Sequence, residues 1–259
     1  MKPQRDKEKR KANRERWWQY AETRPSLSAV LERRERVLVQ PFTTKYLAPC
    51  FASAKQVFAS PLVILNFDDT ANFAVLQSIF HETWVRRYAS TMGERIRYSS
   101  SDCFETFPFP EDVTTLEQLG AQYHEFRKKL LLNRREGLTD IYNHFHDSED
   151  FADDISRLRT MQVEMDIAVA AAYGWSDLHL GHGFQETKQG IRFTIIEMAR
   201  RMVLDRLLSL NHQRREEEVK SGLHDKKGKA LGLRGNRGRK SKEARAGATP
   251  ALLGLKGSL

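Results

Sequence analysis

The sequence predicts an α+β protein, in which a small mixed α/β lobe with short strands is followed by a mainly helical domain and a disordered basic tail. Three observations predict this order. Short segments rich in Val, Phe and Tyr, separated by prolines, lie between residues 37 and 66, as is typical of strands. Apolar residues later recur at helical spacing, and the end of the chain is rich in Gly, Lys and Arg. We assign residues 1–110, 111–220 and 221–259 to these three parts.

Length and composition exclude several classes of protein. With 259 residues and 30.0 kDa, and with 40% hydrophobic and 10% aromatic residues, the chain can bury a core in one large domain or two ordinary ones. It has no run of about 18 apolar residues, so no membrane partner is expected. Residues 1–16 lack the apolar stretch of a secretory signal. The two cysteines, Cys50 and Cys103, are expected to be structural thiols in a reducing compartment. We therefore expect a cytoplasmic protein.

The net charge of +9 is concentrated at the two ends of the chain. Residues 220–259 contain 11 basic and 2 acidic residues, and residues 1–16 contain 8 basic and 3 acidic ones. The middle of the chain is therefore slightly acidic. Basic arms attract polyphosphates through the release of counterions, without reading sequence, but they also serve simply to keep proteins in solution. Charge alone leaves nucleic-acid binding and solubilising tails as equal alternatives.

The elements of the N-terminal lobe follow from its turn residues. Pro41, Pro49 and Pro61 are expected at strand edges or strand starts, because proline cannot donate to a sheet. A helix is predicted over residues 71–90, since its apolar residues fall at helical spacing. Gly93 then permits a tight turn before the run RYSSSDCFETFPFP. The residues that can cap the helix are Asp68, Asp69 and Thr70.

The end of that run marks a boundary. Its prolines forbid a regular helix, so we place a domain boundary near Pro110. Beyond this residue every element is expected to be helical. A capping box formed by Thr114 and Glu117 is predicted to begin the first helix, and Thr194 with Glu197 is predicted to begin the last long one.

No catalytic constellation is found in the sequence. A glycine-rich phosphate loop, a G-x-S-x-G nucleophile elbow and the acidic-Pro-Pro-aromatic motif of amino-group methyltransferases are all missing. Two histidine pairs, His144 with His146 and His179 with His182, are too weak a signal for a metal site, and they are expected in solvated loops. The sequence therefore predicts a binding protein without catalytic or metal-ligating residues.

Several segments together resemble one family. The segments are KPQRD, RWWQYAETRP, AVLQSIFHETWVRR, RYSSSDCFETFPFP, AVAAAYGW and RFTIIEMARRMVLDRLLSLNH. In order and spacing they resemble the single-chain type IIG/IIL restriction–modification enzymes, which are class I N6-adenine DNA methyltransferases. The resemblance extends to about Gly222. It implies that residues 1–110 are the C-terminal part of a DNA target-recognition domain and that residues 111–220 are the helical domain after it.

The same resemblance implies what should accompany this chain. Members of the family carry a nuclease, an S-adenosylmethionine site and an Asn-Pro-Pro-Tyr-type motif ahead of these segments, and this sequence contains none of them. The resemblance thus implies a recognition module that was cut off or is encoded separately. Its partners would be double-stranded DNA and an upstream methyltransferase/nuclease polypeptide. S-adenosylmethionine is expected only in the missing methyltransferase domain, and no cofactor is expected in this chain.

Base-reading residues are expected just before the RYS run. Arg95 and Arg97 alternate on an extended segment and could present guanidinium forks to guanine, while Glu94 could accept from a cytosine amino group or orient an arginine. The alternative for Glu94 and Arg97 is a surface ion pair of about 0–1 kcal/mol. Contacts to the DNA backbone are expected from Arg86, Arg87, Ser99, Ser100 and Ser101. Nonspecific contacts are expected from the tail residues Lys226, Lys227, Lys229, Arg237, Arg239 and Lys240.

The aromatic residues of the run have a structural role in this interpretation. Tyr98, Phe104, Phe107 and Phe109 are expected to pack and fix the loop rather than to stack on bases. Two other functions stay open for the whole chain. It could be a helical protein-interaction module with solubilising basic tails and no role on DNA, or an independent enzyme that uses its histidines.

Overall fold

Two short helices begin the described fold, α1 (Lys11–Glu15) and α2 (Pro25–Leu31). The computed structural model describes residues 4, 6–18, 24–93 and 95–222. About 52% of these residues are helical and 15% are in strands, which confirms the predicted α+β class. None of the helices in this part of the chain is both long and apolar enough to cross a membrane.

Six short strands of the described N-terminal half form two antiparallel sheets. They are β1 (Arg36–Pro41), β2 (Thr43–Thr44), β3 (Cys50–Ser53), β4 (Leu62–Leu65), β5 (Ser90–Met92) and β6 (Arg95–Arg97). In one sheet β1 lies between β3 and β4, and in the other β6 lies between β2 and β5. Pro49 and Pro61 come just before β3 and β4, and Pro41 ends β1, so each proline sits where a strand starts or stops.

The predicted helix over residues 71–90 is two helices in the structure. Helix α3 (Thr70–Gln77) begins after Asp69, whose Oδ1 accepts from the backbone N of Asn72 at 2.7 Å. Of the three predicted caps, Asp69 is therefore the one that is used. Helix α4 (Ile79–Tyr88) follows after a single intervening residue.

The break between α3 and α4 lies at Ser78. Its backbone is extended, with φ −68° and ψ 161°, and its hydroxyl donates to the Val75 carbonyl oxygen at 2.7 Å. The buried carboxylate of Asp166 accepts from the backbone N of Ile79 at 2.9 Å, which satisfies a free donor at the start of α4. This acceptor comes from a distant part of the chain, so the spacing of apolar residues around Ser78 could not reveal the break.

The second half of the described chain contains long helices and one hairpin. The helices are α5 (Glu117–Arg134), α6 (Leu138–His146), α7 (Asp153–Ala172) and α8 (Glu197–Lys220), and the strands are β7 (Gly183–Thr187) and β8 (Gly190–Thr194). The expectation that everything beyond Pro110 is helical is wrong at this hairpin. Its sequence, GFQETKQGIRFT, alternates in part with a period of two, which is a strand signal. Gly190 follows its turn with φ +89°.

Both predicted capping boxes are wrong. At the first, Asp112 supplies the acceptor in place of Glu117: its Oδ1 accepts from the backbone N and the hydroxyl of Thr114 at 2.8 and 2.7 Å. Asp112 precedes Thr114 by two residues. Its carboxylate therefore satisfies donors at the start of a short 3-10 turn, Thr114–Leu116, that leads into α5. At the second, Thr194 is the last residue of β8 and pairs with Gly183. Thr194 therefore belongs to the β7–β8 strand pair, and the residue that directly precedes α8 is Ile196.

The two halves of the described chain share a core. A Cβ on Gly120 of α5 would overlap the backbone carbonyl oxygen of Thr70 at the start of α3, so only glycine permits this approach. The Thr70 hydroxyl also donates to the Glu117 carbonyl oxygen at 2.8 Å. Buried apolar residues form a continuous cluster between residues 38 and 207. Residues on both sides of Pro110 thus contribute to one core, and the domain boundary at this residue stays a prediction.

Candidate nucleic-acid interface

The hairpin of β5 and β6 carries the two arginines that the sequence predicts as base readers. Arg95 and Arg97 are exposed, whereas Ile96 between them is 3% exposed, because successive side chains of a strand point to opposite faces. Gly93 makes the turn with φ +62°. The Arg97 guanidinium lies 4.9 Å from the centroid of the Phe42 ring, a cation–π contact that restrains this side chain. The hairpin therefore presents two cations on one face.

The C-terminal end of α4 leads directly into this hairpin and adds two further arginines. Arg86 donates from Nε to Glu82 at 2.6 Å and from Nη1 to the side-chain oxygen of Gln189 at 3.1 Å. Burial acts to raise the pKa of Glu82, but the attraction of nearby cations, first Arg86, outweighs it and lowers the pKa. Arg87 is exposed, with its guanidinium 5.9 Å from the centroid of the Tyr88 ring. Because a guanidinium has five N–H donors, both arginines retain donors for an anion.

The three serines that follow β6 make local hydrogen bonds. The hydroxyls of Ser99 and Ser101 are 2.8 Å apart, and the Ser101 hydroxyl donates to Asp102 at 3.2 Å. Residues Ser100–Phe104 form one wide helical turn, and the Thr106 hydroxyl donates to the Asp102 carbonyl oxygen at 2.6 Å. A phosphate contact by these serines would exchange some of these bonds, so their predicted role on the DNA backbone remains a prediction.

The aromatic residues of this region pack in the core, which confirms their predicted role. Tyr98 and Phe107 both contact His81: the Tyr98 hydroxyl is 3.2 Å from Nε2, and the Phe107 ring centroid is 4.9 Å from the imidazole centroid. Burial lowers the pKa of His81 to about 4, so the neutral ring is the packed form. Exposed fractions between 0% and 8% are found for Tyr98, Phe104, Phe107 and Phe109.

The segment 104–110 is anchored by the helical half. Three side chains donate to its carbonyl oxygens: Tyr173 to Pro108 at 2.8 Å, Asn211 to Thr106 at 2.7 Å and Arg214 to Phe109 at 2.6 Å. These donors belong to the end of α7 and to α8. The base of the β5–β6 region is therefore held by packing on one side and by hydrogen bonds on the other, which gives its exposed arginines a fixed support.

A cleft separates the β5–β6 hairpin from the turn of the β7–β8 hairpin. Its volume is about 510 Å³. No function is predicted for the β7–β8 turn from the sequence. The sequence signal for the hairpin is the alternation in GFQETKQGIRFT together with a glycine after the two-residue turn. The cleft is lined by Arg86, Ala89, Thr91, Gly93, Ile96, Lys188, Gln189 and Gly190.

Several histidines of the described chain make contacts within the protein. His144 Nδ1 lies 2.7 Å from an Asp150 carboxylate oxygen, and His182 Nε2 lies 2.9 Å from Asp166, where both side chains are buried. Burial lowers the pKa of His146 to about 3. The expectation of solvated loop histidines is therefore wrong for these three. Among the residues that the structure describes, no three His, Cys, Asp or Glu side chains are grouped as metal ligands.

Two sets of predicted contact residues lie outside the described residues. One is Glu94, so the choice between base reading and an ion pair with Arg97 stays open. The other is the set of six basic tail residues. The exposed positions of Arg95 and Arg97 agree with the predicted strand, and their roles on bases remain predictions.

An exposed pair of arginines on a hairpin, beside the basic end of a helix, is a surface of the kind that binds nucleic acid. Residues 4–111 match the family model described as MmeI, target recognition domain, which confirms the resemblance for this part of the chain. A solved structure of the type IIL restriction–modification enzyme MmeI in complex with DNA is 18% identical, with a TM-score of 0.46. The match covers 68% of this chain and 21% of that one, so this chain spans about a fifth of the MmeI length. No curated protein matches the chain.

Proposed function

We propose that this chain reads a specific sequence of double-stranded DNA for a type II restriction–modification system. The observation that carries the proposal is the β5–β6 hairpin. It lies within residues 4–111, which match a target recognition domain, and it presents Arg95 and Arg97 on one exposed face. Sequence recognition needs polar groups that reach base edges from a fixed support, and the guanidinium donors of this hairpin support the proposal.

The spacing of the two arginines suits stacked base pairs. Side chains two residues apart on a strand are about 6.6–6.8 Å apart, and two base-pair steps along a DNA strand are about 6.8 Å. The major groove admits a two-stranded β-ribbon, and a guanidinium fork can donate to O6 and N7 of guanine. Arg95 and Arg97 are proposed to read two positions of the target that are separated by one base pair. Glu94 is proposed to accept from a cytosine amino group or to orient one of these arginines.

Contacts to phosphate are proposed to set the register of the hairpin on the duplex. Arg86 and Arg87 lie at the end of α4, immediately before β5, and the serine hydroxyls follow β6. The six basic tail residues are proposed to add sequence-independent attraction through the release of counterions. The serines in this proposal are Ser99, Ser100 and Ser101.

Catalysis is proposed to belong to a methyltransferase/nuclease region outside this sequence. That region would bind S-adenosylmethionine, flip an adenine out of the duplex and methylate it, while this chain holds the target and binds no cofactor. Restriction and modification act on DNA in the cytoplasm as a defence against phage, and we place this chain there.

The proposal is tested by selection from a library of duplexes with random sites, using the purified full chain. We expect a short enriched motif that contains guanine. The doubly substituted variant, Arg95→Ala with Arg97→Ala, should lose the preference at one or two positions while it retains salt-sensitive binding. If the unchanged chain enriches no motif, either alone or with a partner methyltransferase, the sequence-recognition proposal fails.

A second measurement tests the separation of recognition from catalysis. The purified chain is incubated with labelled S-adenosylmethionine and with duplexes that carry the selected motif. We expect no transfer of label to DNA, because the sequence lacks the catalytic motif of the resembled enzymes. Transfer above the level of a DNA-only control would show that the chain has its own catalytic site.

A further inference from the structure

The turn of the β7–β8 hairpin is a defined structure. Its two turn residues, Lys188 and Gln189, are exposed. The Thr187 hydroxyl donates to the Gly190 carbonyl oxygen at 2.8 Å and accepts from the backbone N of Gln189 at 3.2 Å. The left-handed backbone of Gly190, with φ +89°, completes the turn. Lys188 is thus held at a fixed point of the surface.

One hydrogen bond joins this turn to the proposed DNA-binding side. The side-chain oxygen of Gln189 accepts from Arg86 Nη1 at 3.1 Å, and Arg86 lies in the last turn of α4, the helix that leads into β5. Lys188 and Gln189 line the same cleft as Gly93 and Ile96 of the β5–β6 hairpin. Two hairpins that lie far apart in the sequence therefore face each other across one opening.

Among the described residues that line the cleft, Arg86 and Lys188 are cationic and none carries a carboxylate. In the described part of the chain, Lys188 takes part in no ion pair. The nearby carboxylate of Glu82 already pairs with Arg86. A lysine ammonium is a compact point charge with three donors and binds phosphate in proteins, so an anion is the ligand that suits this position.

We infer that Lys188 binds a backbone phosphate of duplex DNA whose bases are read by the β5–β6 hairpin, and that Gln189 is a positioning residue that holds the turn against Arg86. The inference rests on the proposed function. It adds a contact outside residues 4–111, the range that matches the target recognition domain. The helical half of the chain would then bind DNA itself and would not only support the first half.

The test compares three variants of the full chain on a duplex that carries the selected motif, over a series of salt concentrations. Lys188→Ala removes the proposed contact, and Gln189→Ala releases the turn. The control is Lys128→Ala, which removes the same charge from an exposed side chain of α5 outside the cleft. Ethylation of single phosphates then maps where each variant needs an unmodified backbone.

For Lys188→Ala we expect about 5- to 10-fold weaker binding near 0.1 M salt and a salt slope smaller by about one. Ethylation interference should disappear at one or two adjacent phosphates. For Gln189→Ala we expect a smaller loss at the same phosphates, and the control should bind like the unchanged chain.

Two outcomes would overturn this contact and leave the proposed function standing. In the first, Lys188→Ala binds like Lys128→Ala. In the second, it binds more weakly but its interference pattern is unchanged, which indicates a general effect of charge. A third outcome, in which the unchanged chain selects no motif and binds no duplex, would overturn both the contact and the proposed function.

Discussion

Arginine side chains lie in opposite environments in two regions of the molecule: they are buried in the helical half and exposed on the β5–β6 hairpin. Arg127 and Arg159 are 2% and 7% exposed, and their donors are used by oxygen atoms of the protein. Arg95 and Arg97 are exposed on β6. The comparison shows that the number of basic residues is a poor guide to DNA binding. A guanidinium whose donors already bond to protein oxygens has few left for a phosphate or a base.

Arg127 shows how completely a guanidinium can be used inside the protein. Nη1 donates to the Gln77 side chain at 2.7 Å and to the Tyr142 hydroxyl at 3.2 Å, and Nη2 donates to the Pro49 carbonyl oxygen at 2.5 Å. The guanidinium also lies 5.2 Å from the centroid of the Phe73 ring. These partners come from both halves of the chain, so Arg127 joins them.

Arg159 has a different set of partners with the same result. It donates to four carbonyl oxygens at distances of 2.7–2.9 Å, and two of them lie in the last turn of α6. Carbonyls in the last turn of a helix lack the usual intrahelical donor four residues on, although that of His144 also accepts from the backbone N of Asp147 at 3.1 Å. A cation there complements the helix dipole. The four acceptors are the carbonyl oxygens of His144, Phe145, Asp147 and Asp150. A buried cation that holds a helix end is not available to a phosphate.

The largest effect is expected when Arg127 is removed. Arg127→Ala leaves several buried oxygens without donors, so we expect a loss of about 4 kcal/mol in the free energy of unfolding. The measurement is urea denaturation followed by circular dichroism. The neighbouring Lys128→Ala should change stability by less than about 0.5 kcal/mol. DNA affinity per folded molecule should be unchanged by either substitution; a loss of less than about 1 kcal/mol in stability for Arg127→Ala would contradict the assigned role.

Acid is expected to weaken the buried region around His81. Burial lowers the pKa of His81 to about 4, whereas the unfolded chain takes up this proton near pH 6.5. The stability held by the neutral ring is complete above about pH 6.5 and is lost as the pH falls towards about 4. We expect His81 to account for a loss of about 2 kcal/mol between pH 7.5 and 5.

The measurement for this second prediction is the urea midpoint as a function of pH. His81→Gln should be less stable at pH 7.5, and its stability should decline less steeply between pH 7.5 and 5. Equal slopes for the variant and the unchanged chain would show that another group governs the acid response. The exposed His212, substituted in the same way, is the matched control.

Removing one exposed arginine of β6 is expected to affect binding and not stability. Arg95→Ala or Arg97→Ala should each weaken binding to the selected motif by about 1–3 kcal/mol and relax the preference at one base pair. The free energy of unfolding should change by no more than about 0.5 kcal/mol. Fluorescence anisotropy on matched and mismatched duplexes measures the first effect. Equal weakening on all duplexes would place these arginines on phosphates instead.

The smallest effect is expected at Arg206, which faces solvent but already has a partner. It makes two hydrogen bonds with the Asp177 carboxylate, one of them at 2.8 Å. Exposed pairs of this kind contribute about 0–1 kcal/mol. Arg206→Ala should therefore change stability by about 1 kcal/mol or less and leave sequence preference intact. It matches the charge change of Arg95→Ala, and a loss of preference at any base pair would show that the surface extends to α8.

Part of this fold could be predicted because its causes are local. Proline positions marked strand ends. The carboxylate of Asp69 caps α3 by accepting from the backbone N of Asn72, three residues further along the chain. The alternation of Arg95 and Arg97 predicted an extended segment, and the aromatic run to Phe109 was predicted to pack. In each case the signal is a pattern of residues close together in the chain.

Other features depended on residues far apart in the sequence. The break at Ser78 is stabilised by Asp166, 87 positions from its partner Ile79. The β7–β8 hairpin reaches α4 through the Arg86–Gln189 hydrogen bond over 103 positions. No local pattern contains such pairs, so the position of the hairpin beside α4 could not be predicted, whereas its strands do have a local signal in the alternation of residues 183–194.

By itself the sequence determined the α+β class, the resemblance to a target recognition domain and the position of an extended, arginine-bearing segment. The tertiary structure alone decided which arginines face solvent and which are buried with protein oxygens as hydrogen-bond acceptors. Arg127 reaches a carbonyl 78 positions away, and such acceptors exist only after the chain has folded. A guanidinium can be buried where oxygen atoms accept from its donors. Arg95 and Arg97 instead lie exposed on β6, where they are proposed to bind DNA.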